Sequence, residues 1–125
     1  RIAACVLVTP ALAAPLPAIE RAELRCRVET ECDPGGTCTA GDGRHRFDIR
    51  PIFARDDGST RLELQIDGQL RDGSAVTASG PILWLEGQRA LQTLVLLGDD
   101  AALWPRTGAV SGADRILFLA CEGAS

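Results

Sequence analysis

Lysine and tyrosine are absent from this sequence, aromatic side chains make up only 4% of it, and histidine occurs once. Each scarcity excludes something. Single-stranded nucleic acid is usually held by stacked aromatics together with positive charge. The chain has few of the first and a net charge of −4, so a nucleic-acid partner is not expected. One histidine, His45, provides no metal-ligand pair, and neither a metal nor another cofactor is expected. No apolar run approaches the roughly 20 residues of a membrane-spanning helix. All thirteen basic residues are arginine, which reads first as codon bias.

What is present is enough for one domain. The chain has 125 residues, and 46% of them are hydrophobic, near the globular average, so a packed core is expected. The beginning has the layout of a secretory signal peptide. Arg1 is the positive end, "IAACVLV" (Ile2 to Val8) the apolar stretch, Pro10 the break, and "ALA" (Ala11 to Ala13) the cleavage motif. Residues 1–13 are therefore expected to be removed, 14–22 to form an N-terminal arm, and 23–125 to form the domain. Cys5, in "IAAC", loosely matches a lipidation box, and the absence of an initial Met leaves room for residues upstream.

Removal of the leader leaves Cys26, Cys32, Cys38 and Cys121. An even count in a small exported chain reads as disulfides. Zinc sites favour closely spaced cysteine pairs and redox sites favour C-x-x-C, and "CRVETECDPGGTC" (Cys26 to Cys38) offers neither. The turn-forming "DPGG" brings Cys32 towards Cys38. Cys26 alternates with Leu24 and Val28, and Cys121 with Leu117 and Leu119. Both read as inward residues of the first and last strands, so the expected bridges are Cys32–Cys38 and Cys26–Cys121. Closing a loop near 100 residues is worth up to ~4.7 kcal/mol in the chain-entropy model.

The remainder reads as strands and turns. "HRFDIRPIF" places His45, Phe47, Ile49, Pro51 and Phe53 on one face, and Pro51 marks an edge or a bulge. "RLELQID" alternates Leu62, Leu64 and Ile66 against Arg61, Glu63 and Gln65. Asp67-Gly68 is a hairpin signal, Asp72-Gly73 a second turn, and "SAVTAS" a short strand. "ILWLEG" and "LQTLVLL" are near-continuous apolar runs of strand length, "AALW" is brief and ends at Pro105, and "RILFLAC" closes the domain. Short strands at intervals of roughly ten residues indicate an all-β fold. The expected architecture is a single antiparallel up-and-down barrel, or a sandwich, of seven to eight strands stapled by disulfides.

A resemblance supports that architecture. The order of three early cysteines, "FDI", "LWLEG", "QTLVLL", "ALW" and a terminal cysteine resembles a group of small exported proteins of alphaproteobacteria. It implies periplasmic export and a β-fold, and brings no activity with it. The strand pattern is more loosely similar to bacterial inhibitors of c-type lysozyme, which are small disulfide-bearing β-barrels. "SGA" (Ser111 to Ala113) matches a loop fragment of that family, and no inhibitory residue is carried across.

Candidate chemistry is sparse. His45 and Asp48 lie three apart, and on a strand such residues point to opposite faces. Asp56-Asp57 and Asp99-Asp100 sit beside glycines, where aspartate caps its own turn. Trp84 and Trp104 fit the core, or, if exposed, act as binding anchors. Arg25, Arg27, Arg44, Arg46, Arg50 and Arg55 crowd the first half. If the first two long strands pair, Arg25, Arg27, Arg46 and Arg50 share an outer face with Glu23, Glu29 and Asp48. No catalytic residue is assigned. The leading expectation is an exported, periplasmic or secreted, non-enzymatic binding module whose partner is a protein or an envelope component. A small carrier of an apolar ligand comes second, and a hydrolase-type enzyme third.

Overall fold

The computed structural model describes residues 19–76, 81–86, 90–98, 100–106 and 114–123. The expected leader, Cys5, most of the arm, and Ser111 to Ala113 lie outside these residues. Nine strands run in chain order: β1 (Ala22–Cys32), β2 (Cys38–Ala40), β3 (Arg44–Ala54), β4 (Thr60–Ile66), β5 (Gln69–Ala75), β6 (Ile82–Glu86), β7 (Ala90–Leu96), β8 (Ala101–Arg106) and β9 (Arg115–Gly123). Each of β3 to β9 pairs antiparallel with the strand before it in space, and β1 pairs with β9 as well as β3. That last pairing closes an eight-stranded up-and-down barrel. The short β2 is appended to the far end of β1.

The period-2 pattern does the local work. In β4, Leu62, Leu64 and Ile66 are buried while Arg61 and Gln65 face solvent. Each such aliphatic side chain contributes roughly 1.5–3 kcal/mol on burial. Asp67 and Gly68 both have positive φ, 51° and 83°, as the two central residues of a type I′ hairpin require. A register shift between Pro51 and Phe53 marks the bulge that the missing proline N–H made plausible.

Aromatic rings pack against one another in the core. Trp104 lies 5.2 Å from Phe47 and 6.0 Å from Trp84, centroid to centroid. Only 2% of Trp84 and 3% of Trp104 is exposed, so the indoles are core residues and not surface anchors. Both N–H groups are satisfied, as buried indoles require. Trp104 donates to Gln92 Oε1 at 3.1 Å, and Trp84 donates to Glu86 Oε1 at 3.2 Å. Arg71 grips both oxygens of Glu86 at 3.0 Å. The Arg106 guanidinium covers the Trp104 ring at 4.5 Å.

Four expectations change. Asp72-Gly73 is no turn but the middle of β5, where a Cβ on Gly73 would stand 2.7 Å from Leu64 Cδ1. Glycine is needed there for close approach, not for bending. Phe53 faces outward, 47% exposed, because the bulge at Pro51 shifts the alternation. β8 continues through Pro105 to Arg106 instead of stopping. Ile19, in the expected arm, is buried in the core.

Both disulfides join directly opposed residues, Cys26 with Cys121 and Cys32 with Cys38. The first spans 95 residues and the second 6, so the first removes far more freedom from the unfolded chain. Replacing Cys26 and Cys121 together by serine is expected to lower unfolding stability by about 2–5 kcal/mol. The Cys32/Cys38 double variant should lose less, and urea titration of both checks the order.

The hydrogen bonds from Arg71, opposed by burial and helped by the Trp84 N–H, hold the Glu86 carboxyl below its ordinary value of 4.5. A carboxylate depressed on folding contributes stability above its unfolded value, and that contribution fades as pH falls. Glu86→Gln should therefore flatten the loss of thermal stability below pH 4.5 relative to the parent.

Candidate functional site

On the outer face of β1 and β3, beside β9, four arginines gather. Arg25 and Arg27 alternate outward with the buried Cys26 and Val28, and Arg44 and Arg46 alternate outward with His45 and the buried Phe47. The antiparallel register then sets Arg25 opposite Arg46 and Arg27 opposite Arg44. Two like-charged cross-strand pairs thus lie side by side. Such a juxtaposition is destabilising, on the scale of about 0.2–1 kcal/mol that cross-strand pairs carry.

Four other arginines of the barrel are ion-paired, while Arg55 donates to the Ser59 and Ser74 hydroxyls and Arg106 lies over Trp104, neither in an ion pair with a described residue. Arg50 pairs with Glu63, Arg61 with Asp72, Arg71 with Glu86 and Arg115 with Glu31. Arg21 sits beside Glu23 and Asp48, the neighbouring acidic cross-strand pair. Within the quartet, only Arg27 has a carboxylate, Glu29 at 2.7 Å. Among the described residues, Arg25, Arg44 and Arg46 make no ion pair.

The nearest acid is committed elsewhere. Asp67, in the β4–β5 hairpin turn, accepts the Arg46 backbone N–H on Oδ1 at 2.8 Å. Its Oδ2 accepts His45 Nδ1–H at 2.8 Å, and its own N–H donates to the Arg46 carbonyl at 2.9 Å. The His45 ring points inward and meets Trp104 edge-on at 4.9 Å. The histidine therefore pairs with an acid 22 residues away and not with Asp48. Asp67 fixes the start of β3 and the arginines upon it; it does not neutralise them.

These groups border a cleft of about 600 Å³. Its lining includes the arginine quartet, the bridged Cys26 and Cys121, and two further acids, Asp100 and Glu122. Glu122 is the β9 residue opposite Arg25, and Asp100 precedes β8, its carbonyl accepting the Cys121 N–H at 2.8 Å. Neither carboxylate forms an ion pair with a described residue.

Arg25, Arg27 and Arg46 are thus brought together as anticipated. Arg50 lies further along the same face of β3 and is tied to Glu63. Trp84 and Trp104 are withdrawn into the core. Arg44 belongs to the cluster and was missing from the candidate face, although its spacing of two from Arg46 was the signal. Asp57 is a turn cap: its Oδ1 accepts the Ser59 hydroxyl at 2.6 Å and the Ser59 N–H at 2.9 Å, which lowers its pKa. Asp33 likewise accepts the Thr37 N–H at 2.9 Å. The four described cysteines are all bridged, so none of them is a free thiol nucleophile. Compared with family models, curated proteins and solved structures, the chain matches none.

Relieving one like-charge pair should not harm the fold. Arg44→Glu turns the Arg27–Arg44 contact into an opposite-charge pair. Its unfolding free energy is expected to stay level or rise by up to about 1 kcal/mol in denaturant titration. A clear loss of stability would show that Arg44 has a structural role.

Proposed function

We propose that the protein is an exported, non-enzymatic binding module whose contact surface is the arginine face of β9, β1 and β3. Its partner is an anionic component of the cell envelope. The observation that carries this reading is the pair of opposed arginine rows, three members of which make no ion pair with a described residue. A sheet that keeps like charges in register gives up stability, and an external anion restores the balance.

Other features support the same reading. Two disulfides fit an oxidising compartment, and residues 1–13 have the character of a leader. The His45–Asp67 pair has no serine, threonine or thiol partner among its described contacts, so it reads as a structural latch. The carrier alternative finds less support, since Phe47, Trp84 and Trp104 pack together in the core.

A net charge of −4 makes a simple test possible. An acidic protein should pass through phosphocellulose at neutral pH unless a local basic face holds it. Retention is expected at low ionic strength, with elution by moderate salt. The double variant Arg25→Gln/Arg46→Gln should flow through, whereas Arg50→Gln should bind like the parent. Flow-through of the parent would contradict the proposal.

A further inference from the structure

Resting on the anionic reading, we infer that the cleft over the Cys26–Cys121 bridge is a site for a small phosphate ester that also carries a primary ammonium group, of the phosphoethanolamine type. The lining has two signs of charge. Arg25, Arg44 and Arg46, none in an ion pair with a described residue, supply guanidinium forks, which match phosphate oxygens in bidentate geometry, and Arg27, held by Glu29, adds positive charge beside them. Asp100 and Glu122 supply carboxylates, neither of them in an ion pair with a described residue. An ammonium group brings three donors and no acceptor, so it suits that pair of acids.

The acids also determine what the site disfavours. A plain inorganic anion drawn to the arginines meets two carboxylates in the same cleft and is partly repelled. An extended polyanion crossing from β3 to β8 runs directly over Glu122 and Asp100. A zwitterion uses both signs and leaves neither uncompensated, and such complementarity gives specificity against the wrong partner. The third acid of the lining, Asp67, is anchored by the His45 Nδ1–H and the Arg46 backbone N–H, one on each oxygen, and adds to the negative side of the cleft. The volume, about 600 Å³, lies in the range of small-molecule sites, roughly 300–1,000 Å³.

The full chain, with its disulfides intact, is titrated calorimetrically with O-phosphoethanolamine, inorganic phosphate and ethanolamine. Phosphoethanolamine is expected to bind about tenfold more tightly than phosphate, a difference near 1.4 kcal/mol. Ethanolamine should bind weakest. Asp100→Asn/Glu122→Gln should abolish that preference while keeping or improving phosphate binding, and Arg25→Gln/Arg46→Gln should lose both ligands. Circular dichroism melts of each variant confirm that the barrel is intact.

Equal or tighter binding of phosphate by the parent overturns the zwitterion site but leaves the arginine face as an anion surface. Binding of neither overturns both. Flotation with phosphatidylethanolamine vesicles, against phosphatidylcholine vesicles, identifies the source of the ester. Selective flotation assigns a lipid headgroup, and calorimetric binding without flotation assigns a free ester.

Discussion

The pairing of β1 with β9 across the Cys26–Cys121 bridge is the constraint on which the rest of this molecule depends. β1 hydrogen-bonds to β2, β3 and β9, so the first strand of the domain is also its hub. Closure removes the open sheet edges that would otherwise invite aggregation. It also joins the distant β9 to β1 and β3 in one continuous outer face. Without it, Glu122 and Ala120 would not lie beside Arg25 and Arg27, and the cleft would have no second wall. The disulfide joins the two strands at the row where Cys26, Cys121 and His45 line up, one residue from Arg25 and Arg46.

Net charge and local charge tell different stories in this protein. The chain is acidic overall, which argues against non-specific attachment to polyanions. The register nevertheless gathers four of its thirteen arginines into two adjacent cross-strand pairs. Neighbouring rows are neutralised, with Glu63 on Arg50 and Arg21 between Glu23 and Asp48. The contrast marks the quartet as a local feature and not a consequence of arginine-rich composition. Destabilising arrangements that persist beside a cleft are where function is expected to sit.

Much of the fold was legible because strand alternation and turn chemistry are local. "RLELQID" reveals β4 and its inward face, Asp67-Gly68 its turn, the "DPGG" turn the Cys32–Cys38 bridge, and the inward alternation of Cys26 and Cys121 the other. What escaped depends on contacts and registers between strands. Gly73 looks like a turn residue until Leu64 is seen packed against its Cα. Phe53 reads as an inward residue until the bulge at Pro51 shifts the frame. The face shared by Arg25, Arg27 and Arg46 followed from pairing β1 with β3, which alternation suggests. The His45–Asp67 contact and the facing acids Asp100 and Glu122 required the three-dimensional closure. Leu85 and Leu91, opposed on the outer face of β6 and β7 and about half exposed, explain why those strands read as continuous apolar runs.

The proposed anion-binding surface is the face of β9, β1 and β3. The most direct measurement is a two-dimensional amide NMR titration of the disulfide-intact protein with inorganic phosphate at low ionic strength. Saturable shifts are expected, concentrated at Arg25, Arg27, Arg44, Arg46 and the adjoining Ala120 to Glu122, with the β6 and β7 amides unmoved. Shifts scattered over the barrel, or confined to β6 and β7, would contradict the proposal.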